Sequence, residues 1–450
     1  MSEISQLSAF CTELNWENIP TEVREAAAFH VLDSIGVALG AADNEQNRRV
    51  SALWLKNETT QEASVWQQKC QAGLGKATFL NAMLGHTLEM DDVHTESKTH
   101  IGTVVVPAAW AMAEYLKASG KELLLAVICG YEVMSRIGMA FGVSAHRNKG
   151  WHVTATAGTF GAAAACAKLL KLSTEETINA LGLAGAQSFG NWAFLGDGAT
   201  CKVLNPARAA QVGLESALLA KAGMTGPEHI LTAEDGGLFT MMSEGADVTL
   251  VAKELGKTWQ SLRVDNKPYP ACRSTHCVID GMLELCKKYD LQSEDIKHVT
   301  VETYLVGYKQ CGLAPGSIDP QNAVNAKFST AFVAACAVLF GKFGLQQVEQ
   351  DVIDNPEVKA LLKKVEVRPA EDLTKLYPEH WGCRIAVKCK NGATYKIYVK
   401  DASGSVAKPL TAEQVKAKAV GLMEKVGIAD GEKLAEAILN LEKTATLPSL

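Results

Sequence analysis

Residues 158–171 read GTFGAAAACAKLLK, a helical pattern built almost entirely from small side chains. Such a helix has little apolar surface of its own, so it is stable only where neighbouring helices approach its backbone closely. That requirement predicts a buried bundle core. Other segments supply the partners: 22–40 (EVREAAAFHVLDSIGVALG), 103–117 and 120–141 place Ala, Val, Leu and Ile at helical intervals. Ser173 and Glu176 form a capping box that opens the next helix.

The pattern changes near residue 260. HVTVETYLV (298–306) and KVEVRPAE (364–371) alternate in strand fashion, and CRIAVKCKNGATYKIYVK carries Asn391-Gly392 between two alternating runs, a hairpin signal. Residues 281–288 and 326–342 look helical. Beyond Ser405 the chain reverts to helix, with Thr411 and Gln414 as another capping box. A length of 450 residues exceeds one ordinary core. The expected organisation is a large helical domain, 1–265 and 405–450, interrupted by a smaller α+β domain, 266–404. The fold class is mainly α.

Hydrophobic residues make up 47% and charged residues 21%, a globular balance. A net charge of −6 argues against a nucleic-acid or anionic-membrane surface, while a local cluster of Lys or Arg still allows small anionic substrates. The start, MSEISQLSAFCTELNW, lacks the basic and apolar regions of a signal peptide. No run approaches the roughly 20 uninterrupted apolar residues of a membrane span. The twelve cysteines form no C-x-x-C pair, so they read as reduced thiols, and a cytoplasmic protein is expected.

Four stretches could carry chemistry. HTLEMDDVHTESKTHIG (86–102) crowds Glu89, Asp91, Asp92 and Glu96 with His86, His94 and His100. Asp91, His94 and His100 are acceptable metal ligands, but their spacing matches no helical metal pairing. A carboxylate-oriented histidine for acid/base work fits the loop equally well, as does a solvated, self-bonded loop. KGWHVTATAG (149–158) places His152 at the head of the small-residue helix, where it is either a neutral base or donor, or a capping or core histidine. Lys202, in DGATCKVLNPAR (197–208), and Lys267, in KPYPACRSTH (267–276), lie in turn-rich contexts. Singly each is an ordinary surface charge; together they resemble carboxylate clamps.

Two signals fail on inspection. Gly73-Leu-Gly75-Lys76-Ala77 lacks the glycine spacing and the Ser/Thr of a phosphate loop, and no dinucleotide fingerprint follows a strand. Cys272, beside Arg273 and near His276, reads as a packing or supporting residue rather than an activated thiol.

In this order the segments resemble the MmgE/PrpD family. The resemblance is carried by GHTLEMDDVHTESKTHIG with VVVPAAWAMAE, GYEV, GWHVTATAGTFGAAAACAKLL, CKVLNPARAAQVGLESALLAKAGMTGP, EDGG, KPYPACRSTHCVIDG and AKFS, across most of residues 25–340. The family includes 2-methylcitrate dehydratase, cis-aconitate decarboxylase and iminodisuccinate epimerase. The resemblance implies a large helical domain with a smaller α+β lid, a homodimer with its active site between the domains, and no metal or organic cofactor. It maps the acidic lead-in to Glu89, Asp91 and Asp92, the loop histidine to His100, the helix-leading histidine to His152, and the two lysines to Lys202 and Lys267. The chain departs from the family's frequent Asp at Glu89, His-Pro-Gly at His100-Ile101-Gly102, and His at Asn205.

The implied reactions all handle a carbanion or proton α to a carboxylate of a small polycarboxylate. The expectation is that His100 and His152 transfer protons, Asp91 orients one of them, and Lys267 is a further proton-transfer candidate. Glu89, Lys202, Arg273 and His276 are the expected substrate-binding residues. A hydro-lyase acting on a 2-methylcitrate-like acid is favoured, with decarboxylation and epimerisation next. A catalytically inactive dimeric metabolite-binding protein is the reading from another class.

Overall fold

The computed structural model describes residues 1–66, 68 and 70–450. It is 57% helix against 9% strand, mainly α as the periodicity implies. The chain divides into two compact units. One comprises Met1–Trp192, Val203–Asn266 and Thr411–Leu450; the other comprises Ala193–Lys202 and Lys267–Leu410.

The first unit is helical, and the small-residue segment becomes its central helix, Gly158–Leu169. It packs against helices Gly120–Ala140 and Leu204–Lys221 at the close range its composition demands. A Cβ added to Gly213 would lie 2.5 Å from both Ala162 Cβ and the Thr159 carbonyl oxygen. A Cβ at Gly161 would lie 2.7 Å from Met134 Cβ. Backbones meet at these positions because no side chain intervenes. Helix Gly120–Ala140 is long and apolar enough to cross a membrane, but 89% of its apolar window is buried in the structure, as befits a core helix. The capping boxes at Ser173/Glu176 and Thr411/Gln414 both form. The second of these starts helix Ala412–Lys425, which packs on helix Thr21–Leu39, where Ala419 faces Gly36.

The second unit is built on a four-stranded sheet in the order Val365–Pro369, Ile296–Thr303, Cys383–Cys389, Thr394–Val399. The first pair is parallel and the others antiparallel. Helices His276–Tyr289 and Thr330–Phe340 supply the other half of its core, with Val278, Ile279, Met282 and Phe332 against Val299, Val301, Ile385 and Val387. The Asn391-Gly392 hairpin forms, Gly392 taking φ +92°. The strand read to residue 306 stops at Thr303. Tyr304 turns into a stack with Tyr377, and the Leu305 N–H donates to Thr374 Oγ1 as helix Leu305–Cys311 begins. All twelve cysteines are free thiols.

Gly213→Ala is expected to lower stability by about 1–3 kcal/mol through overpacking against the central helix, measured as a fall in the urea midpoint at unchanged slope. An unchanged midpoint would show that the contact relaxes at no cost.

Candidate active site

Helix Leu74–Thr87 ends by placing His86 in the core, and helix Gly102–Leu116 starts just beyond His100. The intervening loop is buried rather than solvated: Glu89, Asp91, Asp92, His94, Ser97 and Thr99 are all enclosed. Its tight path puts two non-glycine residues, Glu89 (φ +59°) and Lys98 (φ +59°), in the left-handed region. Such strain persists only where the surroundings over-determine it. A two-residue strand, Val93–His94, pairs with Val264–Asp265 and anchors the loop.

Asp91 is the centre of the loop. Its Oδ2 lies 2.7 Å from His86 Nδ1 and 3.1 Å from His100 Nδ1, and the two imidazoles meet edge to face at 4.8 Å. Asp91 Oδ1 is buried with no hydrogen-bond partner among the described residues. Burial alone would raise the Asp91 carboxyl, but the charges and hydrogen bonds of His86 and His100 outweigh it and hold the group well below the usual range. His100 Nδ1 also lies 3.0 Å from the Asp92 carbonyl, and its backbone N–H donates to Thr154 Oγ1.

Among the described residues, these three side chains also form a group whose possible ligand atoms lie within 4.8 Å of one another. Donor atoms about 2.0–2.2 Å from a tetrahedral zinc ion stand about 3.3 Å apart. The separations of 2.7 and 3.1 Å are those of hydrogen bonds, so the arrangement fits a carboxylate-oriented pair of histidines better than a metal cage.

Asp92 faces the other way. Its Oδ1 accepts from the Gly102 N–H at 2.8 Å, at the head of helix Gly102–Leu116, and its Oδ2 accepts from Tyr131 Oη at 2.7 Å. Burial, reinforced by the charges of Asp33 and Asp91, outweighs those donors and pushes this carboxyl up to about 7. Asp33 is itself paired with Lys418 Nζ at 2.7 Å, and the same ammonium donates to the Met90 carbonyl.

His152 completes this side. Its ring centroid is 6.4 Å from that of His86 and meets Trp192 edge to face at 4.9 Å. Asn205 Nδ2 donates to His152 Nδ1 at 2.9 Å. Arg147 stacks on Trp192 with its guanidinium 4.4 Å from the ring centroid.

The basic residues singled out in the sequence lie in the second unit. Lys202, in the turn Thr200–Val203, is buried with its Nζ 5.3 Å over the Phe328 ring. Lys267 is fully enclosed and Arg273 nearly so. His276 opens helix His276–Tyr289, donates from Nε2 to the Ala271 carbonyl at 3.1 Å and meets Tyr269 edge to face. Burying ammonium and guanidinium groups is costly, which marks these as sites chosen for charge rather than solvated surface.

Within the helical unit, then, Asp91, His100 and His152 gather with His86, while Glu89 is a buried, strained neighbour. His94 belongs elsewhere. It is held by Ser97 and Gln260 Oε1, and burial lowers its pKa, so it supports the loop. Three participants carry weak sequence signals. His86 ends an apolar helix, Tyr131 sits within one, and Asn205 attracts notice only where the family often has histidine.

The chain matches the family model described as the MmgE/PrpD N-terminal domain over residues 5–251, and the MmgE/PrpD C-terminal domain over residues 269–443. It is 28% identical to the cis-aconitate decarboxylase-like protein oryM of Aspergillus oryzae, over 99% of this chain and 96% of that protein. It is 26% identical to a cis-aconitate decarboxylase of Aspergillus terreus, over 91% and 87% of the two chains. The human cis-aconitate decarboxylase is 28% identical over 92% of this chain and 86% of its own length.

Asp92 makes a pH prediction. Its folded carboxyl is raised, so above the ordinary carboxylate range the folded protein keeps a proton that the unfolded chain has released, and this group's contribution to stability falls as pH rises. Between about pH 4 and about pH 7 the wild type should lose up to about 4 kcal/mol relative to Asp92→Asn. Urea unfolding across that range checks it, and parallel pH profiles for the two proteins would contradict it.

Proposed function

The chain belongs to the MmgE/PrpD family, and from that premise we propose that it is a lyase acting next to a carboxylate of a small polycarboxylate, without a metal or organic cofactor. The observation that carries this reading is the single buried oxygen, Asp91 Oδ2, that faces Nδ1 of both His86 and His100. A carboxylate in that position fixes Nδ1 as the protonated nitrogen, turns Nε2 into the base, and stabilises the imidazolium formed when Nε2 takes a proton.

In the finer reading the enzyme is a hydro-lyase for a 2-methylcitrate-like acid. His100 Nε2 removes the proton α to a carboxylate, and the C–H electron pair delocalises into that carboxylate. The C–O bond to the neighbouring hydroxyl then breaks, and the leaving hydroxide takes a proton to depart as water. Lys267 is the group assigned to supply that proton, since an ammonium has protons to give and is readily tuned by burial. Lys202, Arg273 and His276 are assigned to neutralise the remaining carboxylates, and Glu89 to the substrate-binding wall.

A second reading is decarboxylation of a cis-aconitate-like acid, favoured by the names of the three relatives above. The C–C bond to a carboxyl group would break, carbon dioxide would leave, and the carbanion would take its proton from the His100 imidazolium. Both reactions need the same buried acid–imidazole unit and differ in which bond the bound substrate aligns.

Incubating the purified protein in deuterated water with 2-methylcitrate, cis-aconitate and imino-dicarboxylates separates the readings. Loss of water from the first supports the hydro-lyase, carbon dioxide from the second supports the decarboxylase, and binding with neither turnover nor deuterium exchange would refute a lyase. His100→Gln is expected to cut kcat by about a hundredfold or more; an unchanged rate would remove His100 from the mechanism. Treatment with a chelator is expected to leave the rate unchanged.

A further inference from the structure

The histidines of the helical unit differ in what their Nδ1 atoms face. At His100, Nδ1 lies 3.0 Å from the Asp92 carbonyl and 3.1 Å from Asp91 Oδ2. Both oxygens only accept, so Nδ1 carries a hydrogen, and in the neutral ring the lone pair is on Nε2. At His152 the arrangement is reversed. Asn205 Nδ2 is 2.9 Å from His152 Nδ1 and 3.2 Å from the Asn191 carbonyl oxygen. The carbonyl requires a donor, which fixes the NH2 end of the amide on this side, and the same nitrogen then donates to His152. Nδ1 of His152 is therefore the acceptor, and the ring hydrogen is on Nε2. An imidazolium would place a hydrogen against the amide NH2, donor against donor.

The surroundings keep this geometry. His152 is buried, and its backbone N–H donates to the Gly190 carbonyl at 3.0 Å. Trp151 bridges to Asn191, and the Trp192 N–H donates to the Gly150 carbonyl, so segment 190–192 is laid along 150–152. Gly190 takes φ +140°, and a Cβ there would lie 2.4 Å from Ala155 Cβ and 3.2 Å from Asn205 Oδ1. The close approach that brings the Asn191 carbonyl to Asn205 thus depends on a glycine at 190.

We propose that Asn205 is a positioning residue that holds His152 as a neutral imidazole with its hydrogen on Nε2, so that His152 serves as a fixed hydrogen-bond donor to the substrate's developing enolate and leaves proton transfer to His100. The proposal rests on the lyase reading above for the identity of the substrate. When the α-proton moves to His100 Nε2, the C–H bond breaks and its electron pair passes into the adjacent carboxylate. His152 donates a hydrogen bond to the oxygen that gains this charge and keeps its own proton, so no further proton has to be accounted for. A neutral imidazole suits this task, because a donor held in place needs no reorganisation as the charge forms. The sequence reading makes His100 and His152 a proton-transfer pair and leaves open which is acid and which is base. Their hydrogen-bond partners instead give them opposite tautomers.

The test uses the full-length protein labelled with 15N-histidine, with His152→Gln identifying the His152 signals. The wild type should show Nδ1 of His152 as the bare nitrogen and Nε2 as the protonated one. Asn205→Asp, which offers only an acceptor, should reverse them, and Asn205→Ala should give a mixture. A wild-type ring protonated on Nδ1, or the same tautomer in all three proteins, would overturn the assignment. In turnover, His152→Gln retains an N–H near the Nε2 position, so its kcat should exceed that of His152→Leu by about tenfold or more. Equal rates for the two would overturn the donor role. Should no polycarboxylate be turned over at all, the lyase reading fails, and the tautomer measurement still decides the role of Asn205.

Discussion

Two neighbouring carboxylates, Asp91 and Asp92, are buried side by side in the helical unit, and both cannot be charged there at little cost. The structure resolves the conflict by giving them different partners. Asp91 faces two imidazoles that can share positive charge, and its carboxyl is held low. Asp92 faces only neutral donors, the Tyr131 hydroxyl and the Gly102 N–H, beside the charge of Asp33, and its carboxyl is raised to about 7. One acid is kept ionised for the histidines, while the other ties the loop to the helix that follows.

That division fixes the geometry of the site. Gly102 must bring its backbone N–H to Asp92 in a crowded place, where a Cβ would lie 2.0 Å from Ser34 Oγ and 2.9 Å from Tyr131 Oη. Helices Leu74–Thr87 and Gly102–Leu116 approach just as closely at Gly85, whose added Cβ would lie 2.7 Å from Thr103 Oγ1. Ile101, where the family often has proline, is fully enclosed in the same core. The departure at 101 is therefore accommodated as packing, and the His100 imidazole beside it keeps its carboxylate and carbonyl partners.

Features written locally were legible in the sequence. The capping boxes at Ser173/Glu176 and Thr411/Gln414, the small-residue helix and the Asn391-Gly392 hairpin each depend on residues within a few positions of one another. The parallel pairing of Val365–Pro369 with Ile296–Thr303 was not legible, because strand neighbours joined by a long crossover leave no periodic trace. The site divides in the same way. Asp91 and His100 stand out in one crowded stretch. His86 opens the same stretch, but its role is not legible there, because a histidine in the last turn of an apolar helix looks like any core residue, and it acquires meaning only when the loop folds Asp91 back onto it. The link from Asn205 to His152 spans 53 positions and passes through the Asn191 carbonyl, which no pattern of side chains records.

The departure at Asn205 bears on how a site of this kind is tuned. A histidine there, as the resemblance leads one to expect, could donate or accept and could itself titrate, so the state of His152 would follow pH. An amide cannot titrate, and its orientation is set by a backbone carbonyl that is present at every pH. With Asn205 in place, the state of His152 does not follow the charge of its neighbour at 205. Under the roles proposed above, Asn205 gives His152 a fixed polarity that a titrating residue at 205 would remove.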